Sequence, residues 1–556
     1  MKLKLFCLLA FIIIFSSTPV HAAKFKAQSR KIIAGGKTVA TIDANNVVTR
    51  LESQPIKSSF EKTRIKNPRN TKVLPKILNL KIKAIGMKDP PADIDPDLEP
   101  GFPISAANTT GSYQSGAVIN VVVGNIDTDP QLEMMTTALG RGPMYAWNNN
   151  GTPVSGWPKA GPRTNDGVAY LSLGRLHAPD IASIFAGFHG GSLAAYAGNG
   201  DAVKYWPRLS ANVVRSPAAL ADVIRGNEFS NGPMLVNKRD EIFIGEEDSK
   251  LHGYDFQGKT LPGYPASSTL GGPKRNTPAI GDLDGDGINE IVTASGRYGE
   301  TITLFAYHQD GTAVTGFPVN IGWGYPLTFP VIGDVDGDGQ KEIVLVKIHN
   351  STTIPVVAVY SATGTLEWQT QLANDTSITA GSAPALADLN GDHIPEIIVQ
   401  SDERLYVFRG NGTAYPGWPK LLSYEYWQGN SAPVVGDVDG DGQQDIVIAA
   451  QLGAQQDIGY LYAFRANGTI IPRFPKIIDI GAGSVPAIAD IDLDGRNEII
   501  VCADYWNGVS GDRNKCWAYD YRGTGPYGHV EWGQFGGNEA HQNVYPVPRL
   551  FCPECM

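Results

Sequence analysis

A short acidic pattern that recurs along the second half of the chain constrains the fold most. In its clearest copy, AIGDLDGDGINEIV at 279–292, acids stand at the first, third, fifth and ninth positions of one loop. Calcium prefers about six to eight oxygen ligands, and alternating carboxylates closed by a later acid supply them. The predicted ligands are Asp282, Asp284, Asp286, the backbone carbonyl of Ile288, and Glu290.

Four further copies follow at a period of about 50 residues, which is typical of repeat architectures. Their predicted ligands are Asp334, Asp336, Asp338, Gln340 and Glu342; Asp388, Asn390, Asp392, Ile394 and Glu396; Asp437, Asp439, Asp441, Gln443 and Asp445; and Asp490, Asp492, Asp494, Arg496 and Glu498. A weaker copy, in which Pro130 replaces a glycine, would use Asn125, Asp127, Asp129 and Glu133. The sequence thus predicts Ca²⁺ as cofactor at about five sites.

Each repeat reads as β structure. The closing acid comes at the ninth position and apolar residues follow it, whereas an EF-hand closes at about the twelfth position and continues into a helix. A unit of about 50 residues holds four short strands and their turns, which is one propeller blade. Three earlier, degenerate units bring the number to eight. We therefore predict an all-β propeller of eight four-stranded blades, or of seven if one degenerate unit is not a blade.

End-of-unit signatures accompany the acidic loops, at GlyPhePro from Gly316, GlyTrpPro from Gly417 and, less closely, Arg473 to Pro475. With them, the chain resembles the FG-GAP family, also called VCBS repeats, whose best known members are the propeller domains of integrin alpha subunits. The resemblance covers roughly residues 100–535. It implies a calcium-binding propeller that acts as an adhesion or ligand-binding module.

Ring closure is expected to involve the start of the propeller. Gly101, Phe102 and Pro103 repeat the signature before the first unit. An open array would leave two unpaired sheet edges, so we expect this early piece to pair with the final blade. The alternative is that the tail EWGQFGGNEAHQNVY caps the last blade.

The ends of the chain differ in composition from the repeats. Residues 1–22 have the basic start, apolar run and small-residue cleavage site of a signal peptide, with cleavage near Ala22. Residues 23–99 form a basic, poorly structured arm and an acidic Pro-rich linker, 100–535 the propeller, and 536–556 a tail with a CxxC. We expect a secreted or periplasmic protein without a transmembrane segment. The arm is either loosely docked or a polyanion-binding region.

All four cysteines outside the signal peptide lie near the C-terminus. Cys502 and Cys516 fall on successive predicted strands, so a hairpin disulfide is expected in an oxidising compartment. Cys552 and Cys555 form the CxxC. A zinc site that uses all four remains an alternative.

Aromatic residues cluster in predicted loops on one rim. In a four-stranded blade the metal loops share one rim, and the second connection of each blade lies at the other rim together with the link to the next blade. The residues expected at this other rim are Tyr298, Trp323, Tyr325, Tyr424, Tyr426, Trp427, Tyr505 and Trp506. Such rings suit a surface that binds an extracellular protein or glycan, and the alternative is that they fill gaps between blades. The net charge of -10 gives no indication of nucleic-acid binding.

The sequence favours binding over catalysis. Nucleophile-elbow, zinc-protease and phosphate-loop motifs are missing from it. Two enzyme alternatives stay open: a calcium-dependent polysaccharide lyase on a propeller scaffold and, more weakly, a quinoprotein-like dehydrogenase. The latter is suggested by YSATGTLEW at 360–368, which resembles the tryptophan-docking repeats of eight-bladed quinoproteins.

Overall fold

The structure is a computed structural model that divides into two units, Met1–Pro91 and Ala92–Met556. It describes residues 30–34, 37–42, 48–51, 95–106, 119–137, 143–164, 166–167, 169–177, 181–210, 213–214, 216–223, 239–267, 277–295, 301–323, 329–348, 355–372, 383–401, 404–422, 431–451, 459–478, 484–503, 514–521, 530–538, 541–542 and 544. The predicted signal peptide and Cys552 and Cys555 lie outside these ranges.

The first unit contains one antiparallel sheet of three strands. Lys37–Ile42 pairs with Arg30–Ala34 on one side and with Val48–Leu51 on the other. These segments are rich in Ile, Val and Thr, which favour strands.

The second unit is built from antiparallel sheets, which we name blades A to H. Blade A comprises Val122–Gly124, Glu133–Thr137 and Met144–Trp147, and blade B comprises Ala169–Gly174, Ser183–Phe188, Ser192–Tyr196 and Arg208–Leu209. Blade C comprises Ala219–Ala221, Glu241–Glu246, Lys250–Tyr254 and Ala266–Ser267. Blade D comprises Ala279–Gly281, Glu290–Ser295, Thr301–Tyr307 and Val319–Trp323. Blade E comprises Val331–Gly333, Glu342–Ile348, Pro355–Tyr360 and Leu366–Gln371, and blade F comprises Ala385–Ala387, Glu396–Ser401, Arg404–Phe408 and Lys420–Leu421. Blade G comprises Val434–Gly436, Asp445–Gln451, Gly459–Arg465 and Lys476–Ile478. Blade H comprises Ala487–Ala489, Glu498–Ala503, Asn514–Asp520 and Ile104–Ala106. In blade A, a bridge between Met144 and Lys159 stands in the place of the fourth strand.

Burial explains the strand sequences. Second strands such as Glu342–Ile348 carry apolar residues on both faces, because each blade is packed between two neighbours. First strands such as Ala385–Ala387 are short and fully buried. Hydrophobic clusters accordingly extend from one blade into the next, so packing between blades holds the ring together.

The ring has eight blades. First strands of consecutive blades lie side by side, and the first strand of blade H lies beside that of blade A. The predicted all-β propeller is therefore confirmed, with eight blades rather than seven, because blades A, B and C are the three degenerate units.

Residues from both ends of the propeller close the ring. Ile104–Ala106 pairs with Asn514–Asp520 as the outer strand of blade H, as the signature at Gly101 to Pro103 predicted. Ile119–Asn120 also pairs, in parallel, with Ser484–Val485. Both edges of the array are thus paired.

Ion pairs fasten the segment that precedes this closure. Lys476 Nζ lies 2.7 Å from Asp95 Oδ1 and 2.6 Å from Asp97 Oδ2, and the Arg473 guanidinium lies 2.6 Å from Asp97 Oδ1. Asp97 and Lys476 are both buried. Removing one partner would leave a buried charge without compensation, so these pairs help to keep the segment in place.

Aromatic side chains join neighbouring blades. Among the described residues, five blades have an aromatic side chain near the outer strand that donates a hydrogen bond to a backbone carbonyl of the next blade. The pairs are Trp157 with Gly198 (2.6 Å), Trp206 with Phe256 (3.0 Å), Tyr264 with His308 (3.2 Å), Trp368 with Gly410 (2.5 Å) and Trp418 with Ala466 (2.8 Å). The sequence YSATGTLEW at 360–368 indicated such a contact only at Trp368. Equivalent hydrogen bonds between neighbouring blades therefore recur around the ring.

Near the C-terminus, the described residues 530–538, 541–542 and 544 lie at the centre of the ring, and we call this part of the chain the axial segment. Val530–Trp532 pairs with the first strand of blade G. Other described residues bond to the first strand, or the residue after it, in each remaining blade: Gln534 to Val123, His541 to Leu171, Gln542 to Leu220 and Ile280, Val544 to Ile332, Glu531 to Asp388, and Gly533 to Ile488. The tail thus lies along the inner strands rather than capping the last blade.

Two further features concern a disulfide and membrane-spanning helices. Cys502 and Cys516 are joined by a disulfide across neighbouring strands of blade H. Among the residues that the structure covers, a helix long and apolar enough to cross a membrane is absent.

Candidate metal centres

The five predicted calcium loops connect the first and second strands of blades D to H. In blade D, the two carboxylate oxygens of Asp282 accept the backbone N–H groups of Gly285 (2.9 Å) and Gly287 (3.1 Å). Both glycines have positive φ, which glycine adopts without steric penalty. The first aspartate therefore holds the loop in a tight turn.

The remaining loop acids are fixed in the same way. Asp284 Oδ1 accepts the N–H of Asp286 (3.2 Å), and Asp286 Oδ1 accepts the N–H of Ile288 (2.7 Å). The third and fifth positions of the other loops make equivalent bonds, at Asp336, Asp338, Asn390, Asp392, Asp439, Asp441, Asp492 and Asp494. Such turns use one oxygen of each side chain, so each aspartate keeps a second carboxylate oxygen, whereas the single side-chain oxygen of Asn390 is already bonded.

The closing acid of each loop is buried and bonded to the loop backbone. One carboxylate oxygen accepts the N–H of the residue that follows the first aspartate. The pairs are Glu290 with Leu283 (2.9 Å), Glu342 with Val335 (2.9 Å), Glu396 with Leu389 (2.9 Å), Asp445 with Val438 (3.1 Å) and Glu498 with Ile491 (2.8 Å). This bond orients the acid toward the loop.

Asp445 in blade G provides the sharpest test of whether a cation fits. The residue has no exposed surface, and its Oδ1 atom has no hydrogen-bond partner among the residues that the structure describes. A buried carboxylate oxygen is normally paired or coordinates a metal. The donor set of the loop, oxygen only, matches a hard cation such as Ca²⁺.

The pKa values of the closing acids also favour a cation at these loops. Burial, with the negative charge of neighbouring loop aspartates, raises the pKa of Glu342 and Asp445 to about 8, of Glu396 to about 7 and of Glu498 to about 9. The same causes raise the pKa of Glu290. A bound cation would favour the charged form of these acids.

Cationic side chains make the loops unequal, which sequence reasoning missed. In blade G the Arg465 guanidinium lies 2.6 Å from Asp439 Oδ2 and 3.5 Å from Asp441 Oδ2. In blade H the side chain of Arg496, whose carbonyl was the predicted ligand, pairs with Asp494 and Asp520. The strand register could have revealed Arg465 and Asp520, because they stand opposite Asp445 and Glu498.

The weaker loop of blade A keeps the shared geometry. Glu133 accepts the N–H of Ile126 (2.9 Å), and burial raises its pKa to about 8. Ligand atoms of Asp127, Asp129 and Glu133 lie within 4.8 Å of one another. Replacement of a glycine by Pro130 therefore does not abolish the arrangement.

Blade C keeps the hydrogen bond of the closing acid, although its sequence lacks the acidic loop. Glu241 begins its second strand and accepts the N–H of Val223 at 2.9 Å, as a closing acid does, although the two residues are 18 positions apart. The glutamate at the start of the second strand was the sequence feature from which this bond could have been predicted.

The predicted aromatic surface falls largely outside the described residues. Trp323 ends the outer strand of blade D, and its backbone alone is described. The other seven predicted residues, Tyr298, Tyr325, Tyr424, Tyr426, Trp427, Tyr505 and Trp506, lie in stretches that the structure does not describe. The aromatic surface stays a prediction.

Comparison with known families agrees with this geometry. The profile of the FG-GAP-like repeat matches residues 282–345, 334–399, 388–448 and 437–501, so each match starts at the first aspartate of one loop. Residues 282–501 are FG-GAP-like repeats. The predicted resemblance is confirmed over these repeats, which carry all five acidic loops.

One relative of the FG-GAP-like repeats is integrin alpha-V from Gallus gallus, which is 23% identical over 201 residues. The match covers 31% of this chain and 19% of the integrin, so the chain spans about a fifth of the length of that relative.

One solved structure agrees on the fold. The V. cholerae biofilm matrix protein Bap1 superposes with a TM-score of 0.51 at 12% identity, over 79% of this chain and 94% of that one. The quinohemoprotein alcohol dehydrogenase from Comamonas testosteroni reaches a TM-score of 0.46 at 12% identity, over 78% of each chain. The likeness to Bap1 shows a shared fold.

Proposed function

We propose that this protein is an exported calcium-binding β-propeller that recognises an extracellular protein or glycan. The calcium part of the proposal rests on Asp445, a fully buried acid in the blade G loop. Within the described part of the chain its Oδ1 atom has no hydrogen-bond partner, and the other acids of the loop lie close to it. The other four loops repeat the hydrogen bonds of the closing acid and of the third and fifth positions, with Asn390 in place of an acid in blade F.

Calcium contributes to the stability of the ring in this proposal. Each loop follows the first strand of its blade, and those strands form the inner wall of the propeller. An ion bound to a loop therefore fixes the start of two strands in one blade. Binding to the folded state alone stabilises a protein by about 2.7 kcal/mol per site when the free ion is about a hundredfold above its dissociation constant.

Recognition takes place on a rim of the propeller. The axial segment lies at the centre of the ring, where the side chains of Trp532, Phe535 and His541 are buried. The metal loops lie at one end of the blades. The opposite end, where the predicted aromatic loops would stand, is the proposed binding surface.

Export is the third part of the proposal. Residues 1–22 would be removed near Ala22, leaving a basic arm and linker at 23–99, the propeller at 100–535 and the tail at 536–556. The disulfide between Cys502 and Cys516 supports an oxidising compartment. N-terminal sequencing of the protein recovered outside the cytoplasm checks this point, and a mature chain that begins at Met1 would contradict it.

Binding to a glycan and cell-surface protein array tests the function. The full-length protein is applied with millimolar Ca²⁺ and, in parallel, with excess chelator. We expect a selective signal that disappears with chelator. The proposal fails if the calcium-loaded protein binds none of the ligands above the level of an unrelated propeller.

A parallel assay examines the lyase alternative. The calcium-loaded protein is incubated with uronate polymers, and the ultraviolet absorbance of the unsaturated product is followed. The binding proposal expects no increase, whereas a calcium-dependent increase would replace it with the lyase.

A further inference from the structure

A second group of metal-ligating side chains lies in blade C, away from the acidic loops. Glu246 ends the second strand, Asp248 lies in the turn that follows, and His252 lies on the third strand. This turn joins the second and third strands, so it stands at the end of the blade opposite the loops between first and second strands. The group therefore belongs to a different rim from the candidate calcium sites.

The hairpin brings the three side chains together. Ile244 pairs with His252 and Glu246 pairs with Lys250, so Glu246 and His252 project from the same face. Asp248 is fixed in the turn because its Oδ1 accepts the N–H of Lys250 at 3.1 Å. A hairpin of this kind is rigid enough to hold ligands in place.

Distances within the group suit a single ion. His252 Nε2 lies 3.0 Å from Asp248 Oδ2 and 3.7 Å from Glu246 Oε2, and the three ligand atoms all lie within 4.8 Å of one another. Ligands at about 2.1 Å from one zinc ion are separated from each other by comparable distances. An ion could therefore contact all three with small side-chain movements.

Surrounding groups orient the ligands. His252 Nδ1 lies 3.2 Å from the Tyr254 hydroxyl, which leaves Nε2 directed at the two carboxylates. The Tyr254 hydroxyl also lies 3.3 Å from Glu246 Oε1, and the Ser210 hydroxyl donates to Glu246 Oε2. Metal-binding histidines commonly have their second nitrogen held in this way.

Burial leaves one side of the group open. The side chain of Glu246 is fully buried, whereas those of His252 and Asp248 are 12% and 24% exposed. An ion can therefore reach the group from solvent and keep an open coordination position. An imidazole with two carboxylates suits a first-row transition metal, whereas the oxygen-only loops suit Ca²⁺.

We propose that Glu246, Asp248 and His252 form a transition-metal site, of the Zn²⁺ or Co²⁺ class, on the rim opposite the calcium loops. The site depends on no part of the calcium proposal, because it shares no residue with the acidic loops.

Cobalt titration of the full-length protein in saturating Ca²⁺ tests the site. Visible absorption reports Co²⁺ in a protein site, and Zn²⁺ is then added as competitor. We expect one equivalent of Co²⁺ to bind and to be displaced by Zn²⁺. The site is disproved if the visible spectrum of the calcium-loaded protein does not change.

Two variants and one control locate the ion. His252→Gln is expected to weaken Co²⁺ binding more than about tenfold. Asp248→Asn is expected to do the same with less effect on packing, and it decides the matter if His252→Gln does not fold. The control is His308→Gln, because His308 lies 3.4 Å from Glu290 at a calcium loop. The proposal is overturned if Asp248→Asn binds Co²⁺ as tightly as the natural protein does. It is also overturned if His308→Gln alone loses Co²⁺ binding.

Discussion

The side-chain amide of Gln534 forms two hydrogen bonds with the backbone of Val123, which lies 411 residues earlier in the chain. Val123 N–H donates to Gln534 Oε1 at 3.0 Å, and Gln534 Nε2 donates to the Val123 carbonyl at 2.9 Å. Both residues are buried. The axial segment is thereby joined to the first strand of blade A.

Removing this amide should destabilise the ring. Gln534→Leu keeps the size of the side chain but leaves the N–H and carbonyl of Val123 without these partners. We expect the free energy of unfolding to fall by about 1 to 3 kcal/mol, measured by chemical denaturation in saturating Ca²⁺. The control is Gln369→Leu on an exposed outer strand, where we expect a change within about 0.5 kcal/mol. Equal stability of the two variants would argue against a supporting role for the axial segment.

Calcium removal should lower the melting temperature. Without cation, each loop holds several carboxylates close together, and their repulsion opposes the folded loop. We expect a large decrease in melting temperature when chelator is added, recorded by calorimetry. Asp284→Ala should reproduce part of this decrease in the presence of Ca²⁺. A melt that chelator leaves unchanged would contradict a structural role for the ion.

Arg465 should reduce the calcium affinity of the blade G loop. Its guanidinium lies against Asp439 and Asp441, which are predicted ligands, so an incoming cation must compete with it. We expect Arg465→Gln to raise the affinity of one site several-fold in isothermal titration. The matched control is Arg409→Gln, since Arg409 occupies the same place before the turn of blade F but lies over the Tyr415 ring. The idea fails if both variants titrate like the natural protein.

Lys347 should make stability depend on pH in the alkaline range. It is buried in blade E, where Nζ donates to the Ile321 carbonyl and the Tyr360 hydroxyl, and burial lowers its pKa to about 8. The unfolded chain keeps this proton up to a pH of about 10.4, so between these values the unfolded state binds more protons and stability rises with pH. We expect a slope of up to about 1.4 kcal/mol per pH unit that Lys347→Met removes. Lys259→Met, at an exposed position, should retain the slope, and a retained slope in Lys347→Met would disprove the assignment.

Much of the fold follows from local pattern. Acidic loops between apolar runs predicted hairpins, and their period predicted blades, because strand alternation and tight turns are encoded by neighbouring residues. The pairing of Ile104–Ala106 with the last blade was also predictable, since Gly101 to Pro103 repeat a signature seen elsewhere.

Contacts between distant residues could not be predicted in this way. Trp418 and Ala466 lie in different blades, and the distance between them in sequence conceals the hydrogen bond that joins them. The axial segment is a stronger case, because Gln534 and His541 show no periodicity and bond to strands that lie 411 and 370 residues earlier in the chain. At the acidic loops the ligand types were readable, but the cations beside them required the strand register.

The axial segment also has a consequence for biosynthesis. A ribosome makes residues 530–544 after all eight sheets, so the wall of the ring exists as polypeptide before the piece that fills it. A messenger RNA with a stop codon shortly before this stretch would yield every blade and none of the central contacts. Such a product should be short-lived in the cell, although it carries each of the acidic loops intact.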